Sequence, residues 1–360
     1  MNSSTANKTA ASPWGRTVTP SFFNPDNAGL WGYRPNVPSL FNEAQTWKKS
    51  IRPALADQKR FQLLLIDVQR DFCFPEGTLY VAGRSGTGAI DDSRRMAEFI
   101  YRNLGAISRI SCTLDTHVPF QIFSRSFWVK ADDTPVDAFT TIAAEDIRKG
   151  VYKPAIGAAG AIGVANYQWL MRQCLHYCEE LERAGKYQLY IWPEHCLLGS
   201  EGHTLVGLIE EAAFFHSYVR GMQADFQIKG AHPLTENYSV LRPEVSTRFD
   251  GVAIGQKNVG FIKTLLDADY VAIAGQAASH CVKSSIDDLL DEILANDPAL
   301  ARKVYVMEDC MSAVTVQNPA GGFYADFTGD AETALKRFAD AGMHVVKSTD
   351  PLDSWPDLIL

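Results

Sequence analysis

Short apolar segments alternate with amphipathic segments from residue 61 onward, and this alternation constrains the fold more than any other feature of the sequence. The apolar segments show little polar alternation, which is typical of strands buried on both faces of a parallel sheet. They predict strands at 61–67, 108–114, 186–192, 269–274, 303–308 and 343–347. Between them, apolar residues recur at helical spacing at about 89–105, 164–184, 204–217, 256–267, 281–295 and 331–341. The pattern predicts an α/β fold: a doubly wound, mostly parallel six-stranded sheet with helices on both faces.

The first 58 residues differ from the rest of the chain. The first dozen are small and polar, and we expect them to be mobile. Aromatic residues then recur from Trp14 to Trp47 among Pro, Asn and Gly, whereas disordered tails are poor in aromatics. We therefore predict an irregular N-terminal extension over 1–58, packed along one domain of residues 59–360 or along a neighbouring subunit.

Composition argues against several classes of partner. The chain has 34 basic and 42 acidic residues and a net charge of −8. Its basic runs are no longer than pairs such as Lys48-Lys49, so we do not expect nucleic acid as a partner. The longest apolar runs are far shorter than the roughly 20 residues of a membrane span, and the N-terminus lacks the apolar core of a signal peptide. Seven dispersed cysteines, an odd number, indicate reduced thiols and a cytoplasmic protein.

Ionisable or metal-binding residues follow four of the predicted strands and the separate segment 224–228. They occur in DVQRDF (67–72), DTH (115–117), WPEHC (192–196), KG (229–230) and GQAASHC (275–281). In doubly wound sheets, ligands bind beyond the carboxyl ends of the strands. One such group would mean little, but five of them predict a functional site at that edge of the sheet.

Cys281 comes directly before a predicted helix. A thiol at a helix N-terminus has its pKa lowered, which favours the nucleophilic thiolate. A buried structural cysteine is the equally weighted alternative. Cys174 and Cys178 flank His176 in another predicted helix, but residues at i, i+2 and i+4 cannot all face one ion. Core packing is therefore the favoured interpretation of those two thiols.

Asp67 and Lys229 are candidates for the catalytic machinery. Asp67 ends an apolar strand, where partial desolvation raises the pKa of the carboxyl group and suits it to act as a general base. The alternative is an aspartate that caps the following turn. Lys229 could stabilise charge between a carboxylate and a thiol, although a Lys-Gly pair taken alone is more often a solvated turn.

Asp115, His117 and His195 are candidate metal ligands. One carboxylate oxygen and two imidazole nitrogens, with open positions, are typical of a catalytic rather than a structural metal site. The two histidines are far apart in the sequence, and on spacing alone ordinary hydrogen-bonding roles are the favoured interpretation.

These segments, in this order, resemble the nicotinamidases of the isochorismatase-like cysteine hydrolases. The resemblance rests on IDVQRDF (66–72), DTH (115–117), WPEHC (192–196), KG (229–230) and GQAASHCV (275–282), and it covers roughly residues 60–348. The Asp-x-His and Pro-x-His-Cys segments are those of the metal-dependent branch. The resemblance implies an isochorismatase-like three-layer fold and a hydrolase that deamidates nicotinamide, or a close heteroaromatic carboxamide, through a thioester.

The resemblance also implies a catalytic group. Asp67, Lys229 and Cys281 would form the triad, in which Asp67 takes the thiol proton and Cys281 attacks the amide carbon. The backbone N–H groups of Ala277 and Cys281 would form the oxyanion hole. The peptide bond between Gln276 and Ala277 would be cis.

Substrate and metal sites follow from the same resemblance. Phe72 and Trp192 would sandwich the aromatic ring of the substrate. Asp115, His117 and His195 would bind a divalent metal, expected to be zinc, with iron and manganese as alternatives. A small-molecule amide would be the substrate, and the protein is expected to be a homo-oligomer that takes part in NAD salvage.

The sequence departs from this family pattern in ways that leave alternatives open. Residues 120–123 offer no further histidine or acid after the Asp-x-His segment, whereas many relatives supply one there. Insertions near 130–185 and 230–254 border the pocket, so a larger or different amide is also open. The enzymatic alternative is a metal-independent amidase that acts on an aliphatic or carbamoyl amide. A catalytically idle binding scaffold is the non-enzymatic alternative.

Overall fold

The computed structural model describes residues 17–185 and 187–360. The expected mobility of the first dozen residues, and Trp14 at the start of the aromatic segment, lie outside the described residues. No described helix is both long and apolar enough to cross a membrane.

The described strands are β1 (Phe61–Ile66), β2 (Ile107–Asp115), β3 (Trp128–Lys130), β4 (Thr141–Ile142), β5 (Tyr152–Pro154), β6 (Leu189–Tyr190), β7 (Asp225–Lys229), β8 (Tyr270–Gly275), β9 (Val304–Met307), β10 (Thr315–Gln317), β11 (Phe323–Asp326) and β12 (His344–Val346). The α-helices are α1 (Val37–Trp47), α2 (Arg70–Cys73), α3 (Gly88–Arg102), α4 (Ala144–Arg148), α5 (Ile156–Ala161), α6 (Tyr167–Arg183), α7 (Gly207–Arg220), α8 (Val259–Asp267), α9 (Cys281–Asn296) and α10 (Thr328–Asp340). Short 3-10 turns lie at Pro25–Gly29, Ala54–Ala56, Arg125–Phe127, Pro298–Lys303, Glu308–Cys310 and Leu352–Ser354.

Six strands form the central sheet in the order β12-β9-β8-β1-β2-β7, and all neighbouring pairs are parallel. The chain winds outward from β1 through β2 to β7, then returns to β8 on the other side of β1. The point where the winding direction reverses therefore lies between β1 and β8. A crevice opens there, beyond the carboxyl ends of the two strands, and ligands bind in such crevices.

Helices cover both faces of this sheet. Leu63 and Leu65 of β1 belong to one apolar cluster, which also contains residues of α3 and α7. Leu64 and Ile66 point to the opposite face and belong to a second cluster with α8, α9 and α10. Side chains alternate between the two faces of a strand, so a strand covered on both faces is apolar throughout. The predicted fold class is confirmed.

One predicted strand is wrong. Residues 187–192 of this segment do not join the central sheet: β6 is a two-residue strand that pairs antiparallel with β4. Residue 186 lies outside the described residues. The sixth central strand is β7, an edge strand whose Phe226 and Ile228 are 38% and 63% exposed. Polar and apolar residues alternate along β7, so it lacks the apolar run that marks the other five. The apolar residues of 189–192 are instead buried in a separate cluster.

That separate cluster, which we call the insertion cluster, is built mainly from residues 120–192 and includes Leu234 and Val245 of the second insertion. The two insertions also contact each other: the Phe249 N–H donates to Gln173 Oε1 at 3.1 Å, and His176 Nε2 donates to the Thr247 carbonyl at 3.1 Å. Cys174 and Cys178 are fully buried in this cluster, as core packing predicts.

The N-terminal segment packs on α7. Phe41 contacts Tyr218 and Trp47 contacts Phe215, with ring centroids 5.5 and 5.7 Å apart. The prediction of an irregular extension missed the helix α1 in this segment, which begins beside Asn36, whose side chain accepts from the Ser39 N–H. Helix α1 has apolar residues on one face only, and it is held by burial of that face against α7 rather than by its length.

Candidate active site and metal centre

Asp67, Lys229 and Cys281 meet at the crevice between β1 and β8. Asp67 follows β1, Lys229 ends β7, and Cys281 begins α9 after the loop that follows β8. Lys229 Nζ lies 3.0 Å from Asp67 Oδ2 and 3.6 Å from Cys281 Sγ. It also donates to the Asn237 carbonyl at 2.8 Å. The three residues proposed as a triad are therefore in mutual contact and buried.

The backbone places the Asp67 carboxylate toward this group. Asp67 has a φ of +48°, a left-handed conformation that is uncommon outside glycine and often found at functional sites. Its N–H donates to Thr113 Oγ1 at 3.0 Å, and the Thr113 hydroxyl donates back to Asp67 Oδ1. Thr113 on the neighbouring strand thus fixes both the backbone and the side chain of Asp67.

Burial and neighbouring charges shift the pKa values of all three triad residues. Burial raises the pKa of Asp67, and the negative charge of Asp115 adds to this against the opposing charge of Lys229. Burial lowers the pKa of Lys229, but the charges of Asp115 and Asp67 outweigh it and hold that pKa well above its ordinary value. Burial also raises the pKa of Cys281, against the effect of Lys229.

The pKa of Cys281 is shifted upward, opposite to the downward shift predicted from its position at a helix N-terminus. Desolvation of the buried thiol outweighs the favourable helix end, so the resting side chain is a neutral thiol. The Asp67 carboxylate, whose charge also raises the pKa of that thiol, is the adjacent group able to accept its proton.

The loop between β8 and α9 carries the two backbone N–H groups that the resemblance implies for the oxyanion hole. The Gln276–Ala277 peptide bond is cis, as the resemblance implied. Gly275 has a φ of +126°, and a Cβ there would clash with the Ile66 carbonyl, so only glycine fits. Across residues 17–185 and 187–360, the N–H groups of Ala277 and Cys281 have no hydrogen-bond acceptor.

Asp115, His117 and His195 form one compact cluster of possible metal ligands, with all their ligand atoms within 4.8 Å of one another. His117 Nε2 lies 2.8 Å and His195 Nε2 lies 3.6 Å from Asp115 Oδ2. The other oxygen, Asp115 Oδ1, lies 2.9 Å from Lys229 Nζ. Asp115 therefore connects this cluster to the triad.

The far nitrogen of each histidine faces a backbone carbonyl. His195 Nδ1 lies 2.7 Å from the Pro193 carbonyl, and His117 Nδ1 lies 3.4 Å from that of Gly230. Because a carbonyl can only accept, we assign the proton to Nδ1, which leaves the Nε2 lone pairs directed at Asp115. Metal-binding histidines are held in this way, so the donor set and its supports fit a divalent metal.

Cys281 of the triad and two of the possible metal ligands, Asp115 and His195, line one cavity of about 30 Å³. Phe72 and Trp192, the two residues predicted to hold the substrate ring, are in its lining. The Phe72 ring lies 5.5 Å from His195, and the Trp192 ring lies 5.5 Å from His280. The remaining lining residues are Leu79, Val81, Glu236, Tyr238, Ala277, His280 and Val314.

Glu236 and Tyr238 were missed by sequence reasoning. Both come from the second insertion, and its length after Lys229 was the one signal that could have pointed to them. Burial raises the pKa of Glu236 to about 7, with the charge of Asp115 adding to it and that of His117 opposing it. Tyr238 accepts a hydrogen bond from Trp192 Nε1 at 2.8 Å.

No protein-family model and no curated protein matches this chain. Solved structures similar to it include a nicotinamidase/pyrazinamidase of Acinetobacter baumannii, with 19% identity, 82% of this chain and 99% of that chain covered, and a TM-score of 0.46. The yeast nicotinamidase Pnc1p bound to the inhibitor nicotinaldehyde has 17% identity, covers 80% and 99% of the two chains, and has a TM-score of 0.47. The pyrazinamidase of Pyrococcus horikoshii in complex with zinc has 19% identity, covers 80% and 99%, and has a TM-score of 0.40. At these identities, the activity of this chain has to be argued from the residues of its own site.

Proposed function

We propose that this protein is a metal-dependent cysteine amidohydrolase that converts nicotinamide, or a close heteroaromatic carboxamide, to the acid and ammonia. The observation that carries the proposal is the cavity that Cys281 shares with Asp115 and His195, two members of the possible metal cluster. A thiol beside an acceptor carboxylate and a lysine supplies a nucleophile, and the second cluster supplies a place to hold an electron-rich ring.

Cys281 would be the nucleophile. As its sulfur attacks the amide carbon, the thiol proton passes to Asp67, because a raised pKa makes this carboxylate a stronger base than an ordinary one. Lys229 stays protonated and lies within 3.6 Å of the sulfur, so its charge stabilises the thiolate as it forms.

The backbone N–H groups of Ala277 and Cys281 would stabilise the oxyanion of the tetrahedral intermediate. The intermediate collapses when the C–N bond breaks, and Asp67 returns its proton to the departing nitrogen so that ammonia leaves. A thioester to Cys281 remains. Water then attacks the thioester carbon while Asp67 takes a proton from it. The C–S bond breaks, Asp67 returns the proton to the sulfur, and the carboxylic acid leaves with the Cys281 thiol restored.

Asp115, His117 and His195 would hold the metal. Carboxylate and imidazole donors suit zinc, with iron and manganese as alternatives. The metal would supply a Lewis-acidic position for the ring nitrogen of the substrate or for a water molecule that orients it. Phe72 and Trp192 would pack on the faces of that ring. In the same proposal the enzyme is a cytoplasmic homo-oligomer that acts in NAD salvage.

Ammonia release from nicotinamide by the purified protein tests the proposal. We expect turnover that falls on treatment with a chelator, returns when zinc is restored, and is absent in Cys281→Ala. Turnover that survives complete chelation would instead favour the metal-independent amidase. Absence of turnover in a protein that retains metal would contradict nicotinamide as the substrate.

A further inference from the structure

A second buried polar cluster lies behind the oxyanion-hole loop, and none of its side chains contacts the triad. It consists of Asp92 on α3, Gln276 in the loop after β8, and Ser312 in the segment after β9. Asp92 and Gln276 are 1% and 0% exposed. Buried carboxylates and amides are costly unless they are hydrogen-bonded, so a cluster of this kind is held in one arrangement.

Hydrogen bonds join the three residues into a closed network. Gln276 Nε2 donates to Asp92 Oδ2 at 2.9 Å, and Ser312 Oγ donates to the same oxygen at 2.6 Å. The Ser312 N–H donates to Gln276 Oε1 at 3.3 Å. The other oxygen of Asp92 pairs with Arg95 Nη2 at 2.8 Å. Both ends of the Gln276 amide are therefore held, and the network is anchored to α3.

Backbone hydrogen bonds also hold the loop, at Gln276 and at Ala278. The Gln276 N–H donates to the Ile66 carbonyl at 2.8 Å, which ties the loop to the residue before Asp67. The Ala278 N–H donates to the Ser312 carbonyl at 2.8 Å. The peptide unit that carries the Ala277 N–H thus lies between two anchored residues, and the orientation of that N–H depends on the Gln276 side chain and its partners.

We propose that Asp92 and Gln276 are positioning residues that aim the Ala277 N–H at the developing oxyanion. This inference rests on the proposed amide hydrolysis but does not depend on the identity of the amide. The two side chains do not touch the nucleophile, so they should affect reactions that pass through a tetrahedral oxyanion and spare reactions of the thiol that do not.

Two reagents distinguish reactions that pass through a tetrahedral oxyanion from reactions of the thiol that do not. p-Nitrophenyl acetate acylates Cys281: the sulfur bonds to the carbonyl carbon, the carbonyl oxygen carries the negative charge, and p-nitrophenolate then leaves. Iodoacetamide alkylates the same sulfur at a saturated carbon with loss of iodide, and no oxyanion forms. The ratio of the two rates therefore reports on the oxyanion hole and not on the reactivity of the thiol.

In Gln276→Met we expect acylation to slow by roughly 10- to 100-fold while alkylation stays within about threefold, since misplacing one oxyanion donor has effects of this order. Asp92→Asn should shift the ratio in the same direction by less. The matched control is Gln62→Met. Gln62 lies on β1 and, like Gln276, is a buried glutamine, but its side chain donates to Ser111 Oγ at 2.7 Å and not to the network behind the loop. This control should leave the ratio unchanged.

An unchanged ratio of acylation to alkylation in folded Gln276→Met and Asp92→Asn would overturn the inference, whether the two rates stay the same or fall equally. If Gln276→Met does not fold, as judged by thermal unfolding, Asp92→Asn and Ser312→Ala provide the same comparison. Nicotinamide turnover by the unmodified protein is measured alongside. Its absence together with a shifted ratio would refute the proposed substrate and leave the positioning role standing.

Discussion

The two walls of the cavity are built by different parts of the chain. The triad wall presents Cys281, which follows β8; Lys229 at the end of β7 contacts this thiol and pairs with Asp67 after β1. The insertion wall consists of Trp192, Glu236 and Tyr238, which come from outside the central sheet. In the proposed mechanism the first wall supplies the nucleophile, whereas the second presents mainly aromatic surface.

This difference shows that the chemistry of the site and its fit to the substrate depend on different parts of the sequence. Chemistry depends on atoms placed to within fractions of an ångström, and strand ends in a covered sheet supply that precision. Substrate fit depends on the shape of the remaining cavity, which insertions can change without moving the strands. We therefore expect changes in the triad wall to lower kcat and changes in the insertion wall to raise KM.

The largest effect is expected for Asp67→Asn. Loss of the proposed proton acceptor should lower kcat by roughly 10³-fold or more, because general base catalysis contributes about 10²- to 10⁴-fold. Ammonia release measured over a range of nicotinamide concentrations checks this. Asp225→Asn, at the other end of the strand that carries Lys229, is the control and should stay within about twofold. A fall of less than tenfold in Asp67→Asn would break the assignment of the base.

The next effect concerns the possible metal ligands. His195→Ala removes one of three donors, so metal content after purification should fall by roughly 10-fold or more. Elemental analysis of the two proteins measures this directly. His176→Ala, a partly buried histidine bonded to the Thr247 carbonyl in the insertions, should keep its metal. Equal metal content in His195→Ala would show that the proposed ligands are wrong.

A smaller effect is expected in the insertion wall. Tyr238→Phe removes the acceptor of the Trp192 N–H, which is 2.8 Å away, and leaves that donor unpaired. KM for nicotinamide should rise by roughly 5- to 20-fold with little change in kcat. Tyr190→Phe is the control, since its ring contacts Trp192 at 4.7 Å but its hydroxyl does not bond to it. A fall in kcat at constant KM would break the proposed division between the walls.

The smallest effect on activity is expected outside both walls. His216 on α7 is fully buried, and burial lowers its pKa to about 4, while the Nε2–H donates to the Ile107 carbonyl at 2.9 Å. The unfolded chain binds a proton at His216 more readily between pH 6.5 and pH 4, so folding stability contributed by this neutral histidine is present above pH 6.5 and is lost as the pH falls toward 4.

His216→Gln keeps a donor and cannot titrate. Relative to this variant, the wild-type protein should lose about 2 kcal/mol of unfolding free energy between pH 7 and pH 5. Urea unfolding at the two pH values measures the difference, and kcat at pH 7 should be unchanged. Parallel pH dependence in the two proteins would contradict the assignment of a buried neutral histidine.

The triad residues that sequence reasoning expected to converge share one property. Asp67, Lys229 and Cys281 each lie within a few residues of a strand end, although only the strands before Asp67 and Cys281 were predicted as part of the sheet. The helices were likewise recognisable, because an amphipathic stripe has the same period whatever it packs against. The possible metal cluster could not be predicted from spacing. Spacing alone favoured ordinary hydrogen-bonding roles for the histidines, and only the resemblance grouped His195 with Asp115 and His117.

What sequence reasoning missed depends on contacts between distant segments. The edge strand β7 has the polar alternation of a half-exposed strand, so its place in the sheet is visible only from its pairing with β2. The direction of the Cys281 pKa depends on how much protein surrounds the thiol, whereas its position in the sequence indicates only a helix end.

The sequence by itself determined the alternation of strands and helices, the doubly wound sheet that this alternation requires, and the polar segments that follow β1, β2 and β8. These are local properties, set by side-chain periodicity over a few residues. Only the tertiary structure decided which apolar segment stays outside the sheet, that Glu236 and Tyr238 line the same cavity as Cys281, and that Asp92 holds Gln276. Each of these is a contact between segments distant in the chain, and its free energy arises only when burial removes water from both partners.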